Sequence, residues 1–483
     1  MRLDLLLDAA NLPGAGVAVL DVRGDARRVE VIDIVGDSRR VTPGALYCCV
    51  TGQRFDGHLF AAEAVAAGAV ALVCEHPLAP PVPQIVVAST RAALGPLADA
   101  LLGHPSASLR VAGVTGTNGK TTTVALLAAI FEAHGWPTAT IGTLTGTRTT
   151  PEAPLLQAKL AELREEGVTA VAMEVSSHAL DQHRVDAVHF AAATFTNLTQ
   201  DHLDYHGTMD AYFSAKAKLF EPGRADVAIV NDDDPWGRRL LRILAGRGSR
   251  AVPFSLADAD DLRIGPRGST FCWQNEEITL RLGGRFNVYN ALAAATTARE
   301  MGVTAASVAS GLAAVASVPG RFEPVDAGQP FLVLVDYAHT PDGLEQALTA
   351  ARELAGRNLL VVFGAGGDRD RAKRPLMGAA ATRLADLAVL TSDNPRSEEP
   401  DQIIEEVQAG ARGPGALVIE PDRSRAIASA LAAAEAGDVV VIAGKGHETG
   451  QELRGRIIPF NDADVARAAL GRILRSRGDT ERS

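Results

Sequence analysis

From Phe331 onward the chain alternates five short, predominantly apolar runs with helical stretches: Phe331 to Val335, Leu359 to Phe363, Leu387 to Thr391, Ala416 to Ile419 and Asp438 to Ile442. A strand that is apolar at every position has no face to give to water. It must be covered on both sides, and helices lying between such strands do this in a parallel sheet. The pattern predicts a doubly wound, Rossmann-like sheet over residues 320–483. Polar clusters follow the C-terminal ends of these runs: Asp336 to His339, Gly364 to Asp370, Asp393 to Arg396 and Gly444 to Glu448. Ligands of open α/β sheets bind at that rim.

The same argument reaches back along the chain. Arg110 to Val114, Val168 to Val175, Ala191 to Phe195 and Val227 to Val230 are further apolar strands, with a helical run Thr121 to Ala133 after the first. Phe271 to Trp273 and Ile278 to Leu282 suggest a hairpin, and Asn290 to Met301 an Ala-rich helix. Breaks at Gly103-His104-Pro105-Ser106 and at Val318-Pro319-Gly320 divide the chain. The expected organisation is α/β in three domains: a smaller N-terminal block (1–108), a central P-loop-type, mostly parallel sheet (109–319) and the C-terminal block (320–483). A length of 483 residues accommodates them.

Composition removes several classes. Lys plus Arg (47) against Asp plus Glu (58) gives a net charge of −11, a poor basis for holding a nucleic acid polymer. The four cysteines form no CxxC pair, which fits a reducing cytoplasm and argues against a zinc module. Acids interrupt the first apolar run, so it reads as no secretory leader, and no 18-residue apolar stretch suggests a membrane span. A cytoplasmic monomer is expected.

The sharpest chemical signal is Gly116-Thr117-Asn118-Gly119-Lys120-Thr121-Thr122, between a strand and a helix. Glycines let backbone N–H groups curl around a phosphate, and the helix adds unpaired donors and its positive dipole end. Lys120 would reach the outer phosphates and Thr121 a Mg²⁺ ion. The strict Gly-x₄-Gly-Lys spacing fails, because Val114 stands where its first glycine would be. Glu174 ends a very apolar strand, where a carboxylate needs a partner or a cation; capping the next helix is its bland alternative. Asp201 to Gly207 is dense in possible ligands, yet no Glu follows His202 and the HExxH pattern is absent. Gly364 to Arg369 is not GxGxxG, so NAD gains no support. Asp393, Asn394 and Arg396 around Pro395 combine acceptors with a planar donor fork, which suits a zwitterion.

GTNGKTT (Gly116 to Thr122), EVSSHAL (Glu174 to Leu180), NLTQDHLDYHG (Asn197 to Gly207), FNVYNALAA (Phe286 to Ala294), GRFE (Gly320 to Glu323), DYAHTP (Asp336 to Pro341), GAGGDRDRAKRPLM (Gly364 to Met377), DNPR (Asp393 to Arg396) and GKGHE (Gly444 to Glu448) stand in this order. Together with DSRRVTPG (Asp37 to Gly44) and TGQRFDGH (Thr51 to His58), they resemble the Mur ligase family, and within it the branch that adds the third residue of the peptidoglycan stem peptide.

The resemblance implies an ATP-dependent amide ligase acting through an acyl phosphate on UDP-MurNAc-L-Ala-D-Glu. Residues Gly116 to Thr122, with Asn290, Arg321 and Asp336, would hold ATP. Thr121 and Glu174 would serve one Mg²⁺, with His202 near a second. Lys216 matches a lysine that carries CO₂ as a carbamate (N6-carboxylysine). Lys120, Glu174, His202 and Lys216 are thus the implied catalytic set. Ser38, Gln53, Arg54, Phe55, Thr149, Thr150, Ser176, Gln182 and Arg184 match positions for the UDP-MurNAc-dipeptide, although Arg148 departs from an expected Asn. Arg369, Asp393, Asn394, Pro395, Arg396, Gly444 and Glu448 match positions for the incoming amino acid. DNPR goes with meso-diaminopimelate, whose distal carboxylate Arg396 could fork. L-Lysine or L-ornithine as the added residue, a folylpolyglutamate synthetase-like ligase, and a non-catalytic nucleotide-binding scaffold are the alternatives.

Overall fold

The computed structural model describes residues 1–480 apart from 53, 54, 147, 266 and 267, with side chains as far as 475. Gln53 and Arg54 therefore lie outside the described residues. The N-terminal sheet comprises β1 (Val19–Arg23), β2 (Asp33–Val35), β3 (Ala45–Cys48), β4 (Ala71–Cys74) and β5 (Gln84–Val87) in the order β1-β5-β4-β3-β2. Its β3, β4 and β5 are buried along their whole length, whereas every residue of β1 is exposed and pairs antiparallel with β5. Asp21 and Arg23 interrupt its apolar residues, so the sequence did not announce it.

The central sheet contains β6 (Arg110–Thr115), β7 (Thr138–Ile141), β8 (Ala170–Glu174), β9 (Ala192–Phe195), β10 (Ala228–Asn231) and β11 (Ala251–Phe254) in the order β11-β10-β9-β6-β8-β7, all parallel. Strand order reverses around β6, whose neighbours are β8 on one side and β9 on the other. A crevice opens at such a reversal beyond the carboxyl ends of the strands, and the glycine loop leaves β6 into it. Beside this sheet β12 (Asp260–Gly265), β13 (Gly268–Trp273) and β14 (Glu276–Leu280) form an antiparallel unit. Its β13–β14 hairpin is the expected one, turning on Gln274 and Asn275, both with positive φ (50° and 65°) as a two-residue primed turn requires.

The C-terminal sheet has β15 (Glu323–Pro324), β16 (Leu332–Asp336), β17 (Leu359–Phe363), β18 (Leu387–Leu390), β19 (Ala416–Ile419) and β20 (Val439–Ala443) in the order β15-β16-β20-β17-β18-β19, parallel except for β15. The insertion of β20 between β16 and β17 gives this sheet its own switch point. A small hairpin, β21 (Gly450–Leu453) and β22 (Arg456–Pro459), precedes the last helix, Asp462–Thr480.

The helix that carries Lys120, Lys120–Ala133, is packed closely from outside. Gly311 in the helix Ala305–Ala314 lies so near it that an added Cβ would stand 2.4 Å from Ile130 Cα. A backbone cannot yield as a side-chain tip can. Gly311→Ala should therefore destabilise the protein by about 1–3 kcal/mol despite the better helix propensity of Ala, read as a lower denaturation midpoint in urea at unchanged slope.

Candidate active site

The glycine loop can close only without side chains at two points. A Cβ on Gly116 (φ 155°) would lie 1.9 Å from Thr196 Oγ1, and one on Gly119 (φ 87°) 2.3 Å from Asn290 Oδ1. No side chain caps the helix that begins at Lys120, so its first-turn N–H groups stay open to an anion. The Lys120 ammonium folds back to donate to the carbonyls of Gly116 (2.9 Å) and Thr117 (2.8 Å). Desolvation lowers its pKa, and Glu174 opposes that shift.

Glu174 ends β8 and is 1% exposed. Its carboxylate accepts from Thr121 Oγ1 (3.1 Å), Thr143 Oγ1 (3.2 Å) and Thr143 N–H (2.8 Å). An anion this buried and met by neutral donors, beside a threonine hydroxyl, is a hard-oxygen set of the kind Mg²⁺ takes while keeping water and phosphate ligands; the residues fit the ion. From the C-terminal module Arg321 donates to Thr121 Oγ1 (3.1 Å) and lies over the Tyr337 ring (4.6 Å). Asp336 accepts from Phe322 N–H (2.7 Å), and burial raises its pKa to about 6.

Lys216 is 1% exposed, donates to the same Gly116 carbonyl (2.7 Å) and sits over the Tyr212 ring (4.6 Å). Burial, then the charge of Lys120, takes its pKa well below the ordinary lysine value. His202 stands against the rings of His178 (4.7 Å) and Tyr212 (6.1 Å). These groups line a cavity of about 270 Å³ with Asn118 to Thr122, Thr149, Ser176, Asn290, Arg321 and Asp336.

A second cavity, of about 710 Å³, lies between the central and C-terminal modules, and Arg369, Asp393, Asn394, Arg396, Gly444 and Glu448 line it. Asp201, His202, Tyr337, His339 and Thr340 belong to both walls. Lys445, with no exposed surface, donates to Asn394 Oδ1 (2.9 Å) and Glu448 Oε2 (2.8 Å), and Asn394 Nδ2 donates to that same Glu448 oxygen (2.7 Å). Most of the Asn394 amide is thus committed within the protein. Arg396, at φ 54°, donates to Gly367 O (2.7 Å) and lies 3.4 Å from Glu452. Pro395 lines neither cavity; its carbonyl would lie 1.9 Å from a Cβ on Gly367, so it closes the turn against that glycine.

Other sequence-derived positions sit behind the first cavity. Arg184 donates to Thr150 O (2.9 Å) and Gln182 Oε1 (2.7 Å) and pairs with Glu152 (2.8 Å), while Thr150 Oγ1 donates to the Glu174 carbonyl (2.9 Å) and accepts from Ser176 N–H (3.1 Å). Ser38 and the exposed Phe55 belong to the N-terminal module and line neither cavity. Sequence reasoning missed Thr143, Glu152, His339, Lys373 and Lys445. Of these only His339, Lys373 and Lys445 lay inside quoted motifs, where the string gave them no separate role.

The comparisons with known proteins agree with this geometry. Residues 31–101 match the Mur ligase family, catalytic domain, residues 114–298 the Mur ligase middle domain, and residues 320–446 the Mur ligase, glutamate ligase domain. A UDP-N-acetylmuramoyl-L-alanyl-D-glutamate--2,6-diaminopimelate ligase of Geobacillus thermodenitrificans is 47% identical over 457 residues, covering 89% of this chain and 93% of its own. The Aquifex aeolicus protein of that name is 44% identical over 472 residues, covering 95% and 97%. A solved structure under the same name superposes with a TM-score of 0.68 at 33% identity, over 94% of this chain and 97% of that one. The MurF ligase of Thermotoga maritima, at 21% identity and TM-score 0.62, shares the fold over 92% of this chain and 98% of its own. With three family segments in order along the chain and relatives at 44–47% identity over 89–95% of its length, the chain belongs to the Mur ligase family.

Proposed function

We propose that this protein is an ATP-dependent ligase that joins meso-diaminopimelate to UDP-MurNAc-L-Ala-D-Glu. The observation that carries the reading is the shared wall of the two cavities. A phosphate-type site and an amino-acid site that meet at Asp201, His202 and His339 bring an activated acid beside an amine. A carboxylate acylates amines only once its oxygen becomes a good leaving group. The γ-carboxylate of D-Glu attacks the γ-phosphorus of ATP, the bond to ADP breaks, and an acyl phosphate forms. The free amine then adds to the acyl carbon, and the tetrahedral adduct expels phosphate. Closing the modules would keep water from the acyl phosphate.

In this reading Gly116 to Thr122 cradle the phosphates, while Lys120 and Arg321 offset the charge of two approaching anions; Asn290 and Asp336 contact the nucleotide. Mg²⁺, when bound, would add charge neutralisation, held by Thr121 and Glu174, with His202 and a carbamate on Lys216 serving a second ion. Ser38, Phe55, Thr149, Thr150, Ser176, Gln182 and Arg184 hold the UDP-MurNAc-dipeptide, with Gln53 and Arg54. Arg369, Asp393, Asn394, Arg396, Gly444 and Glu448 receive the amino acid. Arg396 selects for a distal carboxylate that lysine and ornithine lack. The unpaired cysteines suit a reducing cytoplasm.

Phosphate release should require the UDP-dipeptide and meso-diaminopimelate together, and ¹⁸O placed in the dipeptide γ-carboxylate should appear in orthophosphate; absence of that transfer sinks the acyl-phosphate route. Release with lysine alone would redirect the choice of amino acid. Lys120→Ala should lower kcat by at least about a thousandfold with an unchanged circular dichroism spectrum. Since burial lowers the Lys216 pKa well below the ordinary lysine value and so favours the neutral amine that CO₂ needs, CO₂-stripped enzyme should lose most of its activity and recover it with bicarbonate. A carbamate resonance from ¹³C-bicarbonate should be present in the wild type and missing in Lys216→Arg.

A further inference from the structure

The hairpin β21–β22 lies beyond the segment that matches the glutamate ligase domain, which ends at residue 446. It adds little apolar burial: all of β22 is exposed, Ile457 by 75%. Its polar atoms instead fall in succession on the Asp393–Arg396 turn. Gln451 Nε2 donates to the Asp393 carbonyl (2.7 Å), and Glu452 N–H to Asn394 Oδ1 (2.9 Å). Arg396 N–H donates to Glu452 O (3.0 Å), and Arg454 N–H to Arg396 O (2.7 Å). Arg396 has a left-handed φ of 54°, which a non-glycine residue keeps only when its surroundings impose it. Those two backbone bonds impose it, since Arg396 bridges Leu453 as a short strand would.

We propose that this hairpin is the positioning element of the amino-acid cavity, and that Gln451 acts on recognition of the incoming amino acid by orienting the Asp393 turn. Gln451 is a positioning residue and makes no contact with the reacting atoms. The inference rests on the amino-acid role proposed above for Asp393 and Arg396. Loss of the Gln451 bond lets the turn rotate, so the Asp393 carboxylate and the Arg396 fork no longer meet both ends of a zwitterion.

The test is steady-state kinetics on full-length Gln451→Leu and Gln451→Glu, the second keeping the shape but turning an acceptor toward the Asp393 carbonyl. Both should raise KM for meso-diaminopimelate by roughly five- to tenfold, the worth of one net hydrogen bond. KM for ATP and for the UDP-dipeptide, and the melting temperature, should hold. In an Asp393→Asn background, Gln451→Leu should add less than about twofold, because both changes act on one contact. Unchanged KM in both variants overturns the proposal, as does an equal rise in all three KM values with a lower melting temperature, or full additivity with Asp393→Asn. A wild-type enzyme that releases no phosphate with meso-diaminopimelate would overturn the functional reading and this inference with it; a normal wild type with unaffected variants overturns only the role of the hairpin.

Discussion

Two lysines share one carbonyl. Lys120 and Lys216 both donate to Gly116 O, at 2.9 and 2.7 Å, inside a site where water is scarce. Two ammonium ions so placed repel, and repulsion in a low-dielectric setting is relieved by losing a proton. Glu174 favours the charge on Lys120, whereas Lys216 is fully enclosed and is pushed further down by Lys120 itself. The arrangement therefore treats two like residues differently, favouring the charge on Lys120 through Glu174 and the neutral amine on Lys216. Only a neutral amine has the lone pair that CO₂ needs. The glycine at 116 is part of the same constraint, since any Cβ would strike Thr196 Oγ1 and move the carbonyl that both lysines grip.

The two large sheets present their switch points to each other, and polar contacts hold them there. Asp342, in the first turn of the helix Pro341–Leu354, accepts from Thr199 Oγ1 (2.6 Å) and from Asn118 Nδ2 (3.1 Å) in the glycine loop, while Arg321 reaches Thr121. The apolar clusters stay largely within their modules, with Phe286 of the central module crossing to pack edge-on against Phe322 (5.1 Å). Polar contacts re-form readily after separation, and inter-domain motion is the default where an interface is polar. In this structure Arg321 of the C-terminal module already reaches the glycine-loop helix.

What was legible follows apolarity. Leu359–Phe363 is buried throughout, whereas Ala416–Ile419 is an edge strand left mostly exposed, and it was legible only because every residue in it is apolar. Strands broken by charged or polar residues were not legible: β1 carries Asp21 and Arg23, β7 Thr138 and Thr140, and β22 Arg456. In the site, glycines and charged residues next to strand ends were readable because their placement is chemically expensive. Thr143 was not, since a threonine in a loop is ordinary until a buried carboxylate turns out to face it. Lys445 was hidden for the opposite reason: a lysine between glycines suggests a surface loop, and the fold buries it completely.

That lysine is not alone. The side chains of Arg374, Arg423 and Lys445 are fully buried, and each meets carboxylates: Glu398 and Glu406, Asp462, and Glu448 respectively. Buried pairs contribute little net stability compared with apolar residues of the same volume, because desolvation offsets most of their attraction. Their effect here is geometric. Arg374 ties Glu398 just past the Asp393–Arg396 turn and also donates to Gly366 O (3.2 Å), Arg423 lies close behind Asp393 and Gly444, and Lys445 locks Asn394 to Glu448. Glu448 thus meets the cavity with its charge already answered, whereas the Asp393 carboxylate, unlike its backbone carbonyl, accepts no hydrogen bond from a protein side chain among the described residues. Asp393 and Arg396 thus stand on a wall that also presents Arg369 and Lys373, so that the charges the cavity offers are set by those the protein neutralises internally as much as by those it leaves facing inward.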